Sequence, residues 1–470
     1  MSEETAKMQS KGQVGTWPPE FVWGVSTSSF QIEGATKEGG RGPSIWDTFG
    51  AAGRCQNKDT GDVACDHYNR FEEDVALMRD LGIDAYRFSI AWPRVLPLGR
   101  GKPNKTGLDF YDRLIDALLE ANIEPWICLY HWDLPQALDD HGGWLVRDSA
   151  GWFADYATLV ARRYGDRVKR WATFNEFSVF TIFGYGFGES APGHSAGTVP
   201  LQKAVHYVNL AHGAGVDVLR AHVPHASIGA IHNYQPIIPS SAAHENAAAL
   251  FATYWNQAHP DPQILGAYPT LIADAMERYM EPGDLARICR PIDWFGLNHY
   301  SPIYAQTEDN DLGFGFGPHP PEIERTPINW PIHPEAFRDT LIGVSDRYSL
   351  PIYVTENGYG SQDQQAENGT VEDPKRVEFL TNYINAVKEA MARGADVRGY
   401  FVWSLLDNFE WGSGYGVRFG LVYVDYPTQR RIPKASYTWF ADLIKSTRLS
   451  RERRQPAPTQ AGRVNRFGPI

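Results

Sequence analysis

Eight apolar runs of strand length alternate along this chain with longer segments of helical periodicity. Such alternation is typical of βαβ units, in which parallel strands are joined by helices that pack back on the sheet. The runs cover residues 21–26, 85–92, 124–132, 170–176, 227–234, 293–300, 351–356 and 398–405. Eight strand–helix units favour a closed barrel over an open sheet. The sequence therefore predicts an α/β fold, a single (β/α)8 TIM barrel with long βα loops.

One domain accounts for most of the chain. Helical periodicity covers residues 68–81, 108–121, 151–164, 201–221, 374–392 and 435–445, with further helical material in 235–281. The chain has 470 residues, and elaborated barrels of more than about 400 residues still form one domain. We predict a polar N-terminal extension over 1–16, the barrel domain over 17–446, and a basic, flexible tail over 447–470. Residues 302–334 are rich in proline, glycine and acidic residues, which suits a long loop over the barrel mouth.

The balance of charge limits the kinds of partner. The formal net charge is −12, which repels the phosphates of nucleic acid and offers nothing to anionic lipid. No apolar run approaches the roughly 20 residues of a membrane span, and the first residues lack the apolar stretch of a signal peptide. We therefore expect a cytoplasmic protein, a monomer or small homo-oligomer, that binds a neutral small molecule and neither nucleic acid nor a membrane.

The four cysteines do not form a metal-binding pattern. Cys55, Cys65, Cys128 and Cys289 are scattered, without a CxxC pair or histidines at zinc spacing. We predict free thiols, no metal and no other cofactor. A disulfide between Cys55 and Cys65 is an alternative that a reducing cytosol would oppose.

Polar and aromatic residues stand at the ends of the predicted strands, where a hydrophobic core would reject them. In a barrel these ends converge on one face, which carries the active sites of this fold. The residues are Gln31, Glu33, Arg87, Trp92, His131, Trp132, Asn175, Glu176, Asn233, Tyr234, Asn298, His299, Tyr300, Glu356, Asn357 and Trp403. Any one of them could simply satisfy a loop backbone. All eight strands together favour a functional site, and its indole and phenol groups suit the C–H faces of a sugar.

Glu176 and Glu356 end strands four and seven, which face each other across an eight-stranded barrel. Opposed carboxylates are what glycoside hydrolysis requires. A separation of about 5–5.5 Å gives retention of configuration and about 6.5–9.5 Å gives inversion, a choice that these residues alone leave open. If Arg87 and Tyr300 reach Glu356, they favour its ionised form as a nucleophile. Glu176, beside that anion, would then hold a proton and act as the acid.

Six motifs, in order, match a known family: FVWG at 21–24, QIEG at 31–34, YRFS at 86–89, TFNE at 173–176, YVTENG at 353–358 and NFEW at 408–411. The chain resembles the glycoside hydrolase family 1 β-glucosidases over residues 21–440. The resemblance implies a retaining β-glycosidase in which Glu176 is the general acid/base and Glu356 the nucleophile. Such an enzyme would release the terminal non-reducing β-D-glucosyl residue of β-glucosides and cello-oligosaccharides, with some transglycosylation.

The resemblance also assigns the residues that hold the sugar ring. It implies that Asn175 binds the 2-hydroxyl, that Trp132 lies alongside and that Trp403 stacks beneath the ring. It implies that the 3-, 4- and 6-hydroxyls are held by Gln31, His131, Glu410 and Trp411. Asn298 and Tyr300 complete the predicted substrate contacts, with Arg87 supporting the nucleophile. His299, Asp133 and Asp407 are expected either to support these residues from behind or to be structural.

Two departures from the family pattern bear on specificity. Phe177 and Ser178 follow the acid/base glutamate where relatives have proline and an aromatic residue, which puts the aglycone wall in doubt there. Glu410 stands where the branch that cleaves phosphorylated sugars has a phosphate clamp, so we expect unphosphorylated β-glucosides and possible activity on β-galactosides and β-fucosides. The candidate aglycone contacts are Phe177, Ser178, Tyr185, Phe187, Tyr234, Phe314, Phe316 and Trp330.

Two other classes of protein fit parts of the pattern. A metal-dependent aldolase or enolase-like barrel could use Glu176 and Glu356 as ligands, but the strand ends supply more amides and indoles than metal ligands. A carbohydrate-binding protein without activity could share the barrel, but it would be expected to lack one of the two carboxylates. Both are present.

Overall fold

Eight parallel strands close into a barrel in the computed structural model, which describes residues 17–452. The strands are β1 Val22–Ser26, β2 Ala85–Ser89, β3 Glu124–Tyr130, β4 Arg170–Asn175, β5 Ser227–Asn233, β6 Trp294–Asn298, β7 Ile352–Asn357 and β8 Val397–Trp403. Each strand pairs with the next one along the chain, and β8 pairs with β1. The predicted (β/α)8 fold is confirmed.

Helices connect successive strands and cover the outside of the barrel. The long ones are His67–Leu81, Lys105–Glu120, Ser149–Tyr164, Thr198–His222, Pro334–Tyr348, Pro374–Ala392 and Ala435–Glu452. Shorter helices include Ser29–Ile32, Ile45–Ala51, Trp92–Val95, Gln136–Asp139, Phe177–Thr181, Glu245–Ala252, Ala273–Glu277 and Asp284–Ile288. Within residues 17–452, the helices are all too short or too polar to cross a bilayer.

The lower half of the barrel is filled by aromatic side chains. Trp126, Trp294, Tyr353 and Phe401 pack together there. Gly229 makes room for them, because a Cβ at this position would overlap the Trp294 indole. Strand residues alternate between the barrel interior and the helix layer. The interior positions above these four rings, towards the carboxyl ends of the strands, hold the polar groups of the mouth.

Register brings the polar strand ends to one height. Asn298 of β6 pairs with Asn233 of β5 on one side and with Glu356 of β7 on the other. On the opposite side of the barrel, Ser26 of β1 pairs with Arg87 of β2. The residues predicted to carry the chemistry therefore share one layer at the carboxyl ends of the strands.

Several sequence-based boundaries need correction. Strand β2 ends at Ser89, and Trp92 instead begins a short helix, where it is buried against Tyr156 with ring centroids 4.6 Å apart. Residues 302–334 are not only loop, since Ile303–Gln306 and Gly315–Phe316 form a small sheet with Ile237–Pro239. These contacts between distant segments leave no periodic signal in a short sequence window.

The ends of the predicted barrel domain are only partly described. The last helix continues to Glu452, six residues into the predicted tail of 447–470, and it buries Phe440 and Ile444. The predicted extension over 1–16 and the rest of the tail lie outside the described residues.

Candidate active site

Glu356 is held by one cation and one hydroxyl. Arg87 Nη1 donates to its Oε1 over 2.5 Å, and the Tyr300 hydroxyl donates to its Oε2 over 2.7 Å. The glutamate is only 4% exposed, and burial raises its pKa, while the Arg87 guanidinium and the Tyr300 hydroxyl oppose that shift. Both carboxylate oxygens are thereby fixed in orientation, as a nucleophile requires.

Glu176 has a different environment. Its Oε1 accepts hydrogen bonds from Asn233 Nδ2 at 2.8 Å and from Asn298 Nδ2 at 2.9 Å. Burial, and next the negative charge of Glu356, raise the pKa of Glu176 to about 8. Because both amides donate to Oε1, a proton on this carboxyl group would be carried by Oε2. The two carboxyl groups thus differ in their partners: a cation and a hydroxyl bind Glu356, and two neutral amides bind Glu176.

Asn175 lies between the two halves of the site. Its Oδ1 accepts from Arg87 Nη2 at 2.6 Å and from Asn298 Nδ2 at 3.0 Å. Its Nδ2 lies 3.1 Å from His131 Nε2. Three partners therefore fix the orientation of this amide, and the same Asn298 also touches Glu176.

Aromatic rings surround His131. Its imidazole is nearly parallel to the indoles of Trp403 and Trp411, at 5.9 Å from each, and lies 5.3 Å from Trp132. His131 Nδ1 is buried and has no hydrogen-bond partner within residues 17–452. An unpaired buried nitrogen is costly, so this atom suits a hydroxyl supplied by a ligand.

Gln31 and Glu410 are brought together by the segment after β8. Gln31 Nε2 donates to Asn408 Oδ1 and to the Phe409 carbonyl, each at 3.0 Å. Glu410 Oε1 accepts from Trp403 Nε1 at 3.1 Å. Burial raises the pKa of Glu410 to about 8. Both amide hydrogens of Gln31 are used by the protein, so only its Oε1 retains capacity for a sugar hydroxyl.

Backbone conformation directs three of these side chains. Trp132, Glu176 and Trp411 have φ of 78°, 51° and 51°, in the left-handed region that non-glycine residues avoid. Glu176 directly follows the last residue of β4, Trp132 lies two residues beyond the end of β3, and Trp411 begins a short 3-10 helix. Such conformations cluster at functional sites.

Most of the predicted aglycone contacts lie elsewhere. Phe177 is fully buried and stacks on His232 in the layer between strands and helices, with centroids 5.0 Å apart. Ser178 and Tyr185 are buried as well. Tyr234 packs beside Phe295 on the outside of the barrel. The helix after Glu176 turns its first residues towards the core, which short-range sequence patterns do not reveal.

Trp330 does reach the mouth. Its indole is 38% exposed and lies 5.4 Å from the Tyr300 ring, next to the partner of Glu356. Phe316, 45% exposed, stacks on Phe183 at 5.8 Å. Phe314 is fully buried beneath them.

Asn233 is a contact of Glu176 to which the sequence pattern assigned no role. Its Oδ1 accepts from Gln235 Nε2 at 2.8 Å and from Trp255 Nε1 at 3.2 Å, which points its amide nitrogen at Glu176. Its position at the end of β5 was the available signal, but the partners that orient it come from the irregular stretch after that strand.

Neither a metal centre nor a disulfide is formed by the described residues. Residues 17–452 hold no group of three or more histidine, cysteine, aspartate or glutamate side chains placed to bind a metal ion. All four cysteines lie in this part of the chain and are free, so the alternative Cys55–Cys65 disulfide is not formed. Cys65 Sγ instead donates to the Asp407 carbonyl at 2.9 Å.

Comparison with known proteins decides the family. The profile of glycosyl hydrolase family 1 matches residues 13–449. The chain belongs to glycosyl hydrolase family 1. It is 42% identical to β-glucosidase A of Thermotoga maritima over 93% of this chain and 99% of that protein. It is also 42% identical to the bifunctional β-D-glucosidase/β-D-fucosidase of Bifidobacterium breve, over 91% of this chain and 98% of that protein.

Solved structures of family 1 agree with the architecture. The T. maritima β-glucosidase in complex with glucoimidazole superimposes with a TM-score of 0.87 at 42% identity, covering 92% of this chain and 99% of that one. The family resemblance predicted from the six motifs is confirmed, and with it the assignment of this chain as a glycosyl hydrolase.

Proposed function

We propose that this family 1 hydrolase is a retaining β-glucosidase that uses Glu356 as nucleophile and Glu176 as acid/base. The observation that supports it most is the unequal treatment of the two carboxyl groups: Glu356 is bound by Arg87 and Tyr300, whereas Glu176 receives only neutral amides. Its relatives include a β-glucosidase A and a 1,4-β-D-glucan glucohydrolase. These names support the terminal non-reducing β-D-glucosyl residues of β-glucosides and cello-oligosaccharides as the substrates of this chain.

The reaction has two displacements. Glu176 Oε2 gives its proton to the leaving oxygen while a Glu356 oxygen attacks the anomeric carbon, so the glycosidic bond breaks as a glycosyl ester forms. Glu176, now ionised, takes a proton from water, whose oxygen displaces Glu356 and releases the sugar. Arg87 neutralises Glu356 whenever it is free as the carboxylate. A sugar hydroxyl in place of water gives transglycosylation.

The ring contacts are proposed from the same cluster. Asn175 donates its fixed amide to the 2-hydroxyl, beside the reacting carbon and both glutamates. His131 Nδ1, Glu410 and Gln31 Oε1 take the hydroxyls further along the ring, between Trp132, Trp411 and the Trp403 indole. Glu410 offers no positive charge to bind a 6-phosphate, so the proposed substrates are unphosphorylated. The B. breve relative supports β-fucosides as additional substrates.

Removing Glu410 is expected to weaken sugar binding. Glu410→Ala deletes the acceptor held by Trp403, and loss of one partner that leaves a buried polar group unsatisfied costs about 1–3 kcal/mol, so kcat/KM for a β-glucoside falls by roughly 5- to 150-fold. The loss should be smaller for a β-xyloside, which lacks the 6-hydroxymethyl group. Steady-state kinetics on both substrates test this, and equal losses would place Glu410 away from that end of the ring.

Two assays test the proposed reaction. The purified protein should hydrolyse 4-nitrophenyl β-glucoside at the same rate before and after dialysis against EDTA, which separates it from a metal-dependent barrel enzyme. Proton NMR during hydrolysis should show β-glucose first, before mutarotation. First release of α-glucose would contradict the double displacement, and no turnover above a Glu356→Ala control would favour a carbohydrate-binding protein.

The setting of the enzyme is proposed from the sequence alone. A cytoplasmic monomer or small homo-oligomer, without nucleic-acid or membrane partners, stays a prediction.

A further inference from the structure

Six charged side chains form a buried network beneath the segment that follows β8. Three are acidic and three are basic, and they come from five separate places between residues 363 and 434: Asp363, Asp373, Arg376, Asp407, Arg418 and Lys434. Their formal charges cancel. Burying so many ions is costly unless each is paired, so the network points to a geometric requirement rather than to general stability.

Lys434 is the centre of this network. Its side chain is completely buried, and Nζ donates to Asp363 Oδ2 at 2.5 Å and to Asp407 Oδ1 at 2.7 Å. The other Asp407 oxygen accepts from Arg418 Nη1 at 2.7 Å. Asp407 also accepts the Gly420 backbone amide at 3.0 Å. Asp407 therefore binds Lys434 and also the Gly420 amide, so it joins the two ends of the segment 407–420 next to the lysine.

The segment closed in this way carries the sugar-binding groups. Asn408, next to Asp407, accepts from Gln31, and Glu410 follows two residues later. The network also reaches the segment after Glu356: Arg376 Nη2 donates to Ser361 Oγ at 2.6 Å and to the Arg418 carbonyl at 2.9 Å. Two catalytic loops are thus tied to one buried set of charges.

We propose that Lys434 is a positioning residue for substrate recognition: by bridging Asp363 and Asp407 it fixes the segment 407–411 and so the place of Gln31 and Glu410 against the sugar. This inference rests on the proposed glycosidase function. Lys434 itself touches neither glutamate of the reaction. Its effect passes through Asp407, Asn408 and the backbone that leads to Glu410.

Lys434→Met tests the proposal, because it keeps most of the side-chain volume and removes the ammonium group. We expect kcat/KM for 4-nitrophenyl β-glucoside to fall about tenfold or more, mainly through KM, since misplacement of about 1 Å costs up to roughly 100-fold. We expect the glucoside-to-xyloside preference to fall in the same direction as in Glu410→Ala. Lys434→Arg, which restores the charge, should recover part of both losses.

Asp363→Asn provides a milder second variant, which leaves the Lys434 bond to Asp407 and should shift the preference less. Arg147→Met is the matched control: it removes one of the cations paired with buried Asp284 on the outside of the barrel, and should lower Tm with the preference unchanged. A folded Lys434→Met protein with the wild-type preference would overturn the proposal, as would a preference shift in Arg147→Met of equal size.

Wild-type turnover is measured first, since its absence would refute the proposed function and not this inference. In that event the same variants are compared by calorimetric binding of glucose and xylose. A lower ratio of glucose to xylose affinity in Lys434→Met supports the positioning role, and an unchanged ratio overturns it.

Discussion

Replacement of Glu356 by alanine is expected to lower kcat for 4-nitrophenyl β-glucoside on the order of 10⁵-fold, since loss of a catalytic nucleophile removes the reaction path itself. The Arg87 guanidinium would then face an empty space of carboxylate size. Azide should occupy it and attack the anomeric carbon of 2,4-dinitrophenyl β-glucoside, which loses dinitrophenolate. The product should be the α-glucosyl azide.

The matched control for this variant is Glu378→Ala, which removes an exposed carboxylate on the helix Pro374–Ala392 and should leave kcat unchanged. Circular dichroism establishes that both variants fold. Formation of the β-glucosyl azide by Glu356→Ala, or retention of more than a small fraction of wild-type kcat, would show that Glu356 is not the nucleophile.

Replacement of Glu176 by alanine should affect substrates according to their leaving groups. General acid catalysis contributes roughly 10²- to 10⁴-fold, so cellobiose hydrolysis should fall by about that factor. Formation of the glycosyl-enzyme from 2,4-dinitrophenyl β-glucoside should change little, because dinitrophenolate leaves without a proton. Azide should now yield the β-glucosyl azide by displacing Glu356.

The pH profile gives an independent check on Glu176. Its pKa is raised to about 8, so the acid is protonated below that pH, and wild-type kcat/KM for cellobiose should decline as pH rises through about 8. That decline should be missing when the Glu176→Ala variant acts on the dinitrophenyl substrate. Persistence of the same decline there would assign it to another group.

The sequence predicted which strand-end residues lie together better than it predicted their surroundings. Asn175, Glu176 and Glu356 belong to a set of polar residues at the ends of all eight strands, and the set as a whole, not any one member, pointed to a shared site. Parallel strands of a closed barrel then force these ends together. The local sequence pattern was enough to place these residues, because the position of a residue on its strand determines where its side chain lies in the barrel.

The aglycone side could not be predicted in the same way. Phe177 and Tyr185 are aromatic residues near the acid/base in sequence, yet they face the core because a helical turn begins immediately after Glu176. Trp330 reaches the mouth from a loop, and Phe316 is exposed at the end of a short strand, and both positions depend on contacts with distant segments. The amide of Asn233 is oriented by a hydrogen bond from Trp255, and a contact between residues this far apart leaves no signal in a short stretch of sequence.

The left-handed backbone at Trp132, Glu176 and Trp411 implies a conflict between the stability of the fold and the activity of the enzyme. Each such conformation costs roughly 1–3 kcal/mol, and glycine would relieve it but would remove a side chain that the proposed reaction uses. Selection of this enzyme for heat resistance alone would therefore favour inactive variants at these positions, whereas selection that also demands sugar release has to find its added stability elsewhere in the barrel.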